Sequence, residues 1–298
     1  QPTVLLIGRS GQVAHELRRS LAPLGRLTVA SRRGGDETLD LVNKTAIRAL
    51  IRRLQPVVIV NAAAYTAVDE AETDIATAEQ LNHTAPAAMA EAAAEVGALL
   101  VHYSTDYVYS GRGTQPWQEG DPTDPQSVYG RTKRDGDAAI QHLHGHHLIL
   151  RVSWVYAANG PNFCSKILQL ARDRSTLKVV DDQRGVPTPA GLIAEVTAQS
   201  VDWVSGSLVI PSGIYHLCPS GETSWFGVAQ AILEHAKESG DRLSCSPDSL
   251  IPIRTTDWPT PATRPLNSRL STRKIETMLG VDLPDWRSEF DRTKKGLS

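Results

Sequence analysis

The run Tyr129-Gly-Arg-Thr-Lys133 puts a phenol and an ammonium four residues apart. On a helix that spacing is about one turn, so both side chains leave the same face with Cβ atoms ~6 Å apart. Reducing a ketone by hydride leaves an alkoxide that must be protonated as it forms, and a positioned phenol can supply that proton. A free phenol ionises near ~10, and the ammonium of Lys133 together with the positive ring of an oxidised nicotinamide is expected to bring Tyr129 down toward working pH. In the run Tyr103-Ser-Thr-Asp-Tyr-Val-Tyr109, the Thr105 hydroxyl is placed to donate to a carbonyl oxygen and polarise it. The Tyr-Lys spacing alone is suggestive and no more, so its weight depends on where the surrounding elements put it.

Those elements read as a regular alternation. Thr3–Ile7 is a continuous apolar run, as expected of a strand buried on both faces, and a helix follows from Gln12 to about Ala22 with Val13, Leu17 and Leu21 four apart. Further strands are expected at Leu27–Ala30, Val57–Val60, Leu99–Tyr103 and His147–Arg151. Helices are expected between them at Thr45–Leu54, Ala85–Val96 and Val128–Leu143. Five strands alternating with helices predict an α/β fold, a doubly wound parallel sheet of Rossmann type with right-handed crossovers. Thr105 then falls at the carboxyl edge of the fourth strand, where open α/β sheets bind ligands, and the Tyr-Lys helix follows it. After Arg151 the pattern becomes mixed: helices at Asn162–Arg172, Ala190–Val204 and Trp225–Glu238, strands at Leu177–Val180 and Ile214–Leu217, and a proline-rich stretch from Pro252 to Pro265. The reading is a cofactor-binding domain over residues 1–157, to which 186–208 return. A smaller mixed α/β substrate lobe is assigned 158–185 and 209–298.

A glycine loop, Gly8-Arg-Ser-Gly11-Gln-Val-Ala14, joins the first strand to the first helix. Gly8 and Gly11 there permit a tight turn and a close approach of backbone N–H groups to a pyrophosphate at the helix N-terminus. An NAD-specific site would carry an acidic residue after the second strand to bind the ribose 2′-hydroxyl. This chain has Ser31-Arg32-Arg33 instead, and Arg9 adds a third cation, which favours a 2′-phosphate and hence NADPH, with NADH the alternative. Asp40-Leu41 and Asn61-Ala-Ala-Ala-Tyr65 end their segments at the same edge. Small side chains at Ala62, Ala63 and Ala64 suit a wall against which a cofactor lies flat, and Lys133 is placed to hold ribose hydroxyls.

The whole chain, 298 residues with 31 basic and 33 acidic side chains and a net charge of −2, is that of a globular protein. Near-neutrality argues against a sequence-independent nucleic-acid binder, which needs an excess of cations. The apolar stretches fall short of the ~20 residues a membrane helix requires, and no signal peptide is visible. Gln1 suggests a trimmed start. Three scattered cysteines, Cys164, Cys218 and Cys245, form no disulfide framework or zinc motif, so a cytoplasmic location is expected. Arg264, Arg269, Arg184 and Lys166 are the second-half cations available to a nucleotide diphosphate, and Arg264, in its proline-stiffened loop, is the preferred one.

Taken together these motifs resemble the extended short-chain dehydrogenase/reductase superfamily, and within it the family that reduces dTDP-4-keto-6-deoxysugars. The resemblance spans essentially the whole chain. It is carried by Gly8 to Val13, Asn61 to Asp69, His102-Tyr-Ser-Thr-Asp-Tyr-Val108, Val128 to Lys133, Arg151-Val-Ser-Trp-Val-Tyr156, Asp182-Gln-Arg-Gly-Val-Pro-Thr188 and Arg264-Pro-Leu-Asn-Ser-Arg-Leu270. It implies that Tyr129 is the proton donor with Thr105 and Lys133 as partners. It further implies that Gly11, Gln12, Val13, Ser31, Asp40, Leu41, Ala64, Tyr65 and Thr66 line the cofactor, and that Thr105, Asp106 and Trp154 meet the sugar, with Val68 and Asp69 on the substrate side. An indole at Trp154 suits the apolar face of a deoxysugar. Ala14 stands where the third glycine usually is. Some members bind Mg²⁺ through glutamates at a dimer interface; Glu16 matches one such position but Gly191 replaces another, so no metal and a monomer or weak homodimer are expected. Reduction of a related dTDP-deoxysugar and a non-catalytic NADP-binding regulatory subunit both remain compatible with these residues. An epimerase or dehydratase with bound NAD fits the Ser31-Arg32-Arg33 run poorly.

Overall fold

The computed structural model describes residues 3–158, 160–205 and 211–293. Gln1 and the domain boundary expected at 208/209 lie outside them. In chain order the elements are β1 (Thr3–Ile7), α1 (Gln12–Leu21), β2 (Arg26–Ser31), β3 (Glu37–Thr38), α2 (Lys44–Leu54), β4 (Val58–Asn61), α3 (Ile75–Glu79), α4 (Ala85–Val96), β5 (Leu99–Thr105), α5 (Val128–Leu143), β6 (His147–Val152) and β7 (Val155–Tyr156). There follow α6 (Phe163–Asp173), β8 (Leu177–Val180), β9 (Arg184–Gly185), β10 (Thr188–Pro189), α7 (Ala190–Ser205), β11 (Gly213–His216), β12 (Thr223–Ser224), α8 (Trp225–Glu238), β13 (Leu250–Ile253), α9 (Arg273–Leu279) and α10 (Trp286–Thr293).

Seven strands form one parallel sheet in the order β11-β6-β5-β4-β1-β2-β3. The apolar run of β1 is explained by its burial on both faces. Val4 and Leu6 pack with Leu17 and Leu21 of α1 and with Ile193 of α7, while Leu5 and Ile7 pack with Ile47 and Ile51 of α2 and with α4. The alanine-rich α4 buries Ala85, Ala88, Ala92 and Ala93, small side chains that leave α2 and α5 room to approach it. Between α3 and α4 the helix widens into one π turn at Gln80–Thr84, which brings Asn82 inward. The strand order reverses between β1 and β4, so the loops after them meet: Ala62 donates to Ile7 O at 2.9 Å, while Gly8 donates to Ala30 O of β2, also at 2.9 Å.

The second half departs from expectation in one respect. Residues 209–298 do not all belong to the smaller lobe, because β11 pairs with β6 as the edge strand of the main sheet, and Ile275 and Leu279 of α9 close the same core as α1 and α7. The chain returns to the sheet between lobe segments, and the proline-rich loops around it obscure the crossing in sequence. The lobe core proper joins α6, α8 and the β8/β13 pair with Phe290 of α10. Cys164, Cys218 and Cys245 are buried and unbonded. Among the described residues no helix is long and apolar enough to cross a membrane.

Candidate active site

The cofactor side is built from backbone. Gly8 has φ +111°, and a Cβ on it would press within 3.1 Å of Ala62 C, so glycine is required where the β1 and β4 loops touch. Gly11 caps α1 without a side-chain hydrogen bond, and nothing lies within 4 Å of where its Cβ would be. The first N–H groups of a ten-residue helix thus face open space, a setting that fits a pyrophosphate. Ala14 is buried. Gln12 and Val13 are half-buried, and the Gln12 side chain reaches across the cleft to accept from Asn162 Nδ2 at 3.4 Å.

Arg9 folds over the next loop, with Nη1 2.7 Å from where a Cβ on Gly34 would stand. It therefore joins the exposed Arg32 and Arg33, and among the described residues none of the three is in an ion pair. Ser31 is half-buried and donates its hydroxyl to Arg33 O at 2.8 Å. Asp40 caps its own turn by accepting from Val42 N at 3.1 Å, next to half-buried Leu41. Ala63 and Ala64 are half-buried along the wall that leads to Tyr65, whose backbone is held both ways by Asn82: Tyr65 N donates to Oδ1 at 2.8 Å and Asn82 Nδ2 donates to Tyr65 O at 3.0 Å. Thr66 is exposed at the end of that wall, and Val68 is half-buried just beyond it.

The catalytic candidates come together at the ends of β5 and α5. Ser127 caps α5, accepting from Gly130 N at 3.1 Å. The helix is wedged through two glycines: a Cβ on Gly130 would collide with Tyr107 O, and one on Gly136 with Asn82 O. Tyr129 meets the ring of Tyr107 edge-on at 5.5 Å, and its phenol lies near enough to the Thr105 hydroxyl to be influenced by it. Thr105 donates to Asp106 Oδ1 and accepts from Tyr107 N, both at 3.2 Å.

The expected depression of the Tyr129 pKa is not what the protein's own groups produce. Lys133 turns away from the phenol, donating to Tyr103 O at 2.5 Å and meeting His102 Nε2 at 3.1 Å. Burial instead raises the Tyr129 phenol above its ordinary value, opposed by the Thr105 hydroxyl, so it keeps its proton at neutral pH. Burial brings the Lys133 ammonium down to about 8, with Asp137 opposing. Burial pushes the Asp106 carboxyl up to about 7; its Oδ2, like Ser268 Oγ, has no hydrogen-bond partner among the described residues.

On the far side of Tyr107 lies a cavity of about 890 Å³, lined among others by Asp69, Phe163, Lys166, Trp225 and Arg264. Phe163 and Trp225 are the first residues of α6 and α8, immediately after the caps Asn162 and Ser224. Their rings lie 4.5 Å apart, and Trp225 donates Nε1–H to Gln183 Oε1 at 3.0 Å. Sequence reasoning missed Tyr107, Phe163 and Trp225; the signal available was an aromatic directly after a helix cap. Trp154 follows β6 with φ +45°, a left-handed conformation rare outside glycine. One face of its indole is taken by Trp225, stacked at 4.0 Å, and Gly185 is needed beside it because a Cβ would come within 2.8 Å of Trp154 Cε2.

Of the second-half cations, Arg264 reaches the cavity paired with Asp69 at 2.7 Å, a link between residues 195 apart in sequence, and Ala262 N also donates to Asp69 at 3.1 Å. Lys166 lines the cavity as well. Arg269 instead pairs with Glu222 at 2.6 Å, and Arg184 sits in β9 with its N–H on Leu266 O. Neither of these two is among the cavity's lining residues. Glu16, on α1, pairs with Arg19 at 3.7 Å.

This arrangement can be set beside known proteins. A family model described as RmlD substrate binding domain matches residues 2–297. The chain belongs to that family. It is 45% identical over 284 residues to a dTDP-4-dehydrorhamnose reductase of Escherichia coli (strain K12), covering 95% of this chain and 94% of that one. It is 41% identical over 289 residues, with 95% of each covered, to one of Burkholderia thailandensis. Among solved RmlD-family structures, the dTDP-4-dehydrorhamnose reductase of Bacillus anthracis in complex with NADP superposes with a TM-score of 0.87 at 27% identity, covering 98% of both chains. That of Clostridium acetobutylicum gives 0.88 at 30%, again over 98% of both. The RmlD-family architecture thus agrees with the expected doubly wound sheet and its dehydrogenase/reductase relatives.

Proposed function

We propose that the chain reduces dTDP-4-dehydro-β-L-rhamnose to dTDP-L-rhamnose with NADPH, and does so as a cytoplasmic enzyme whose site lies within one protomer. The observation that carries this reading is the meeting of Tyr129 and Thr105 at the sheet's carboxyl edge, between an uncapped helix N-terminus and a cation-bearing cavity. Gly8, Gly11 and the α1 N-terminus would hold the cofactor's pyrophosphate, Arg9, Arg32 and Arg33 its 2′-phosphate, and the wall from Ala63 to Thr66 its nicotinamide half. NADPH, when bound, supplies the hydride.

Every other step belongs to side chains. The Thr105 hydroxyl donates to the C4 carbonyl oxygen and stabilises the charge that develops on it. Tyr129, kept protonated by burial, gives its phenolic proton to that oxygen as the new C–H bond forms, completing the alcohol. Arg264 and Lys166 are placed for the diphosphate, with Asp69 holding Arg264 in position, and Phe163 and Trp225 offer an apolar surface to the base. Trp154 and Asp106 would meet the sugar itself.

The test is direct: purified protein mixed with NADPH and dTDP-4-dehydrorhamnose should lose absorbance at the reduced-nicotinamide band and accumulate dTDP-L-rhamnose. Binding of both compounds without oxidation would establish a regulatory subunit instead. Turnover of a different dTDP-4-ketosugar in preference would move the assignment to a related deoxysugar.

A further inference from the structure

Two indoles meet where the sheet gives way to the lobe, and only one of them is tied down. Trp154 stands two residues beyond Val152, which pairs with Thr105 in the β5/β6 ladder, so it follows the same carboxyl edge as the catalytic hydroxyl. Trp225 opens α8 and lines the cavity proposed for the nucleotide, which Trp154 does not. The rings stack at 4.0 Å with planes 19° apart, so the plane of one constrains the plane of the other. Trp225 is held by a chain of hydrogen bonds whose direction follows from its last member. The Asp182 carboxylate only accepts, so Thr255 donates its hydroxyl to Oδ1 at 2.6 Å. The Thr255 oxygen then accepts from Gln183 Nε2 at 3.1 Å, which leaves Gln183 Oε1 facing Trp225 Nε1–H at 3.0 Å. The Trp154 indole N–H, by contrast, has no hydrogen-bond partner among the described residues. Its backbone keeps φ +45°, a conformation that persists only where neighbours hold it. The segment that carries Gln183 supplies them: a Cβ at Gly185 would press on the Trp154 ring, and Thr188 N donates to Trp154 O at 3.1 Å.

We propose that Trp225 is a positioning residue that holds the Trp154 indole, by stacking, in the plane that receives the ketosugar. Because the Trp225 ring also lines the nucleotide cavity, one stacked pair joins the two halves of the substrate. That Trp154 meets the sugar is the reading proposed above, and the role of Trp225 rests on it. A ketone is reduced only when its carbon sits within reach of hydride and phenol at once, so a tilt of the surface under the sugar costs alignment as well as affinity. A ring fixed through its N–H can impose its plane on one that has no such tie. Phe163, 4.5 Å from Trp225 and tilted by 48°, supports the tied ring from the start of α6. Both indoles also pack against the lobe core, so plain packing is the competing account. Packing alone predicts that loss of Trp225 weakens the nucleotide and the nucleotide-sugar alike.

Binding separates the two accounts without turnover. Calorimetry with dTDP and with dTDP-L-rhamnose gives a ratio of dissociation constants that reports the sugar's own share. The wild type is expected to hold dTDP-L-rhamnose at least about tenfold more tightly than dTDP. Trp225→Leu, which removes the stack, should lower that ratio about three- to tenfold; Trp154→Leu should lower it as far, and the double variant no further. Trp225→Phe, which keeps a ring to stack, should bring the ratio to within about twofold of the wild type. An unchanged ratio in Trp225→Leu overturns the proposal, as do losses that multiply in the double variant, or a wild type that binds both ligands alike. If Trp225→Leu does not fold, Gln183→Met decides. It removes the acceptor and keeps the ring, so the ratio should fall by about two- to fivefold, and no change overturns the proposal. The reductase reading stands or falls on NADPH oxidation, which none of these titrations measures, so the two can fail separately.

Discussion

Where the cofactor side of the cleft is lined by main chain, through Gly8, Gly11 and the alanines after β4, the opposite wall is made of side chains that start from five separate segments. Backbone recognition follows from the sheet: once β1, α1 and β4 are in register, the N–H groups and the open space above Gly11 are in place. The substrate wall depends instead on where Tyr107, Phe163, Trp225 and Arg264 are brought by tertiary packing. The two walls should accordingly fail in different ways, and Tyr129 stands where they meet.

The largest effect expected is at that junction. Tyr129→Phe should lower kcat by about 10²–10⁴ while NADPH titration by fluorescence stays within about twofold of wild type; a near-normal rate would remove the phenol from the mechanism. Next come paired changes that separate the walls. Arg264→Ala should raise the nucleotide-sugar KM about tenfold to a hundredfold with the NADPH KM unmoved, as expected for losing a charge-assisted contact. Arg32→Asp should swing the NADPH/NADH preference about tenfold toward NADH and leave the sugar KM alone. If either substitution shifted both constants, the walls would not be independent.

The smallest effect is on stability. Burial raises the Asp106 carboxyl to about 7, above its unfolded value of 3.8, so the folded state binds a proton that the unfolded chain has released. The protonated group's contribution to stability is full at low pH and is lost as pH rises from about 4 through 7. Asp106→Asn, which cannot ionise, should therefore gain on the wild type in Tm as pH climbs through that range, by a few degrees at pH 8; a constant difference would mean that Asp106 does not titrate there.

The same division explains what could be read from the residues alone. β1, β2 and β4 to β6 declare themselves because burial on both faces gives each a run of apolar residues, and α1, α4 and α5 stand within a residue or two of where their patterns put them. Paired strands of two residues such as β7 and β10 carry no period, and the helical residues before Ala85 include Asn82 and His83, weak helix formers kept there by the Asn82 contacts to Tyr65 and Thr132. β11 is readable as a strand but not as a member of the main sheet, since four residues do not say which neighbour they will choose. Tyr129, Lys133 and Thr105 are legible because one helix and one strand end carry them. Phe163 and Trp225 are not, since 61 intervening residues separate two rings that touch. That Lys133 adds nothing to the Tyr129 shift in the protein alone is not legible for a related reason: spacing shows that Lys133 shares a helix face with the phenol, but not that His102 and Tyr103 would claim its Nζ.

The two glycines that seat α5 against Tyr107 O and Asn82 O have a consequence for how such a protein can change. A side chain at either position would lever the helix outward and carry Tyr129 and Lys133 with it, so the distance between proton donor and carbonyl is held by the absence of a methyl group. Variation that explores new sugars has to leave this seat alone and act on the aromatic and cationic wall opposite. An engineer seeking a different ketosugar would do well to treat α5 as the fixed datum and to place every mutation in a library around the helix starts that carry Phe163 and Trp225 and the loop that carries Arg264.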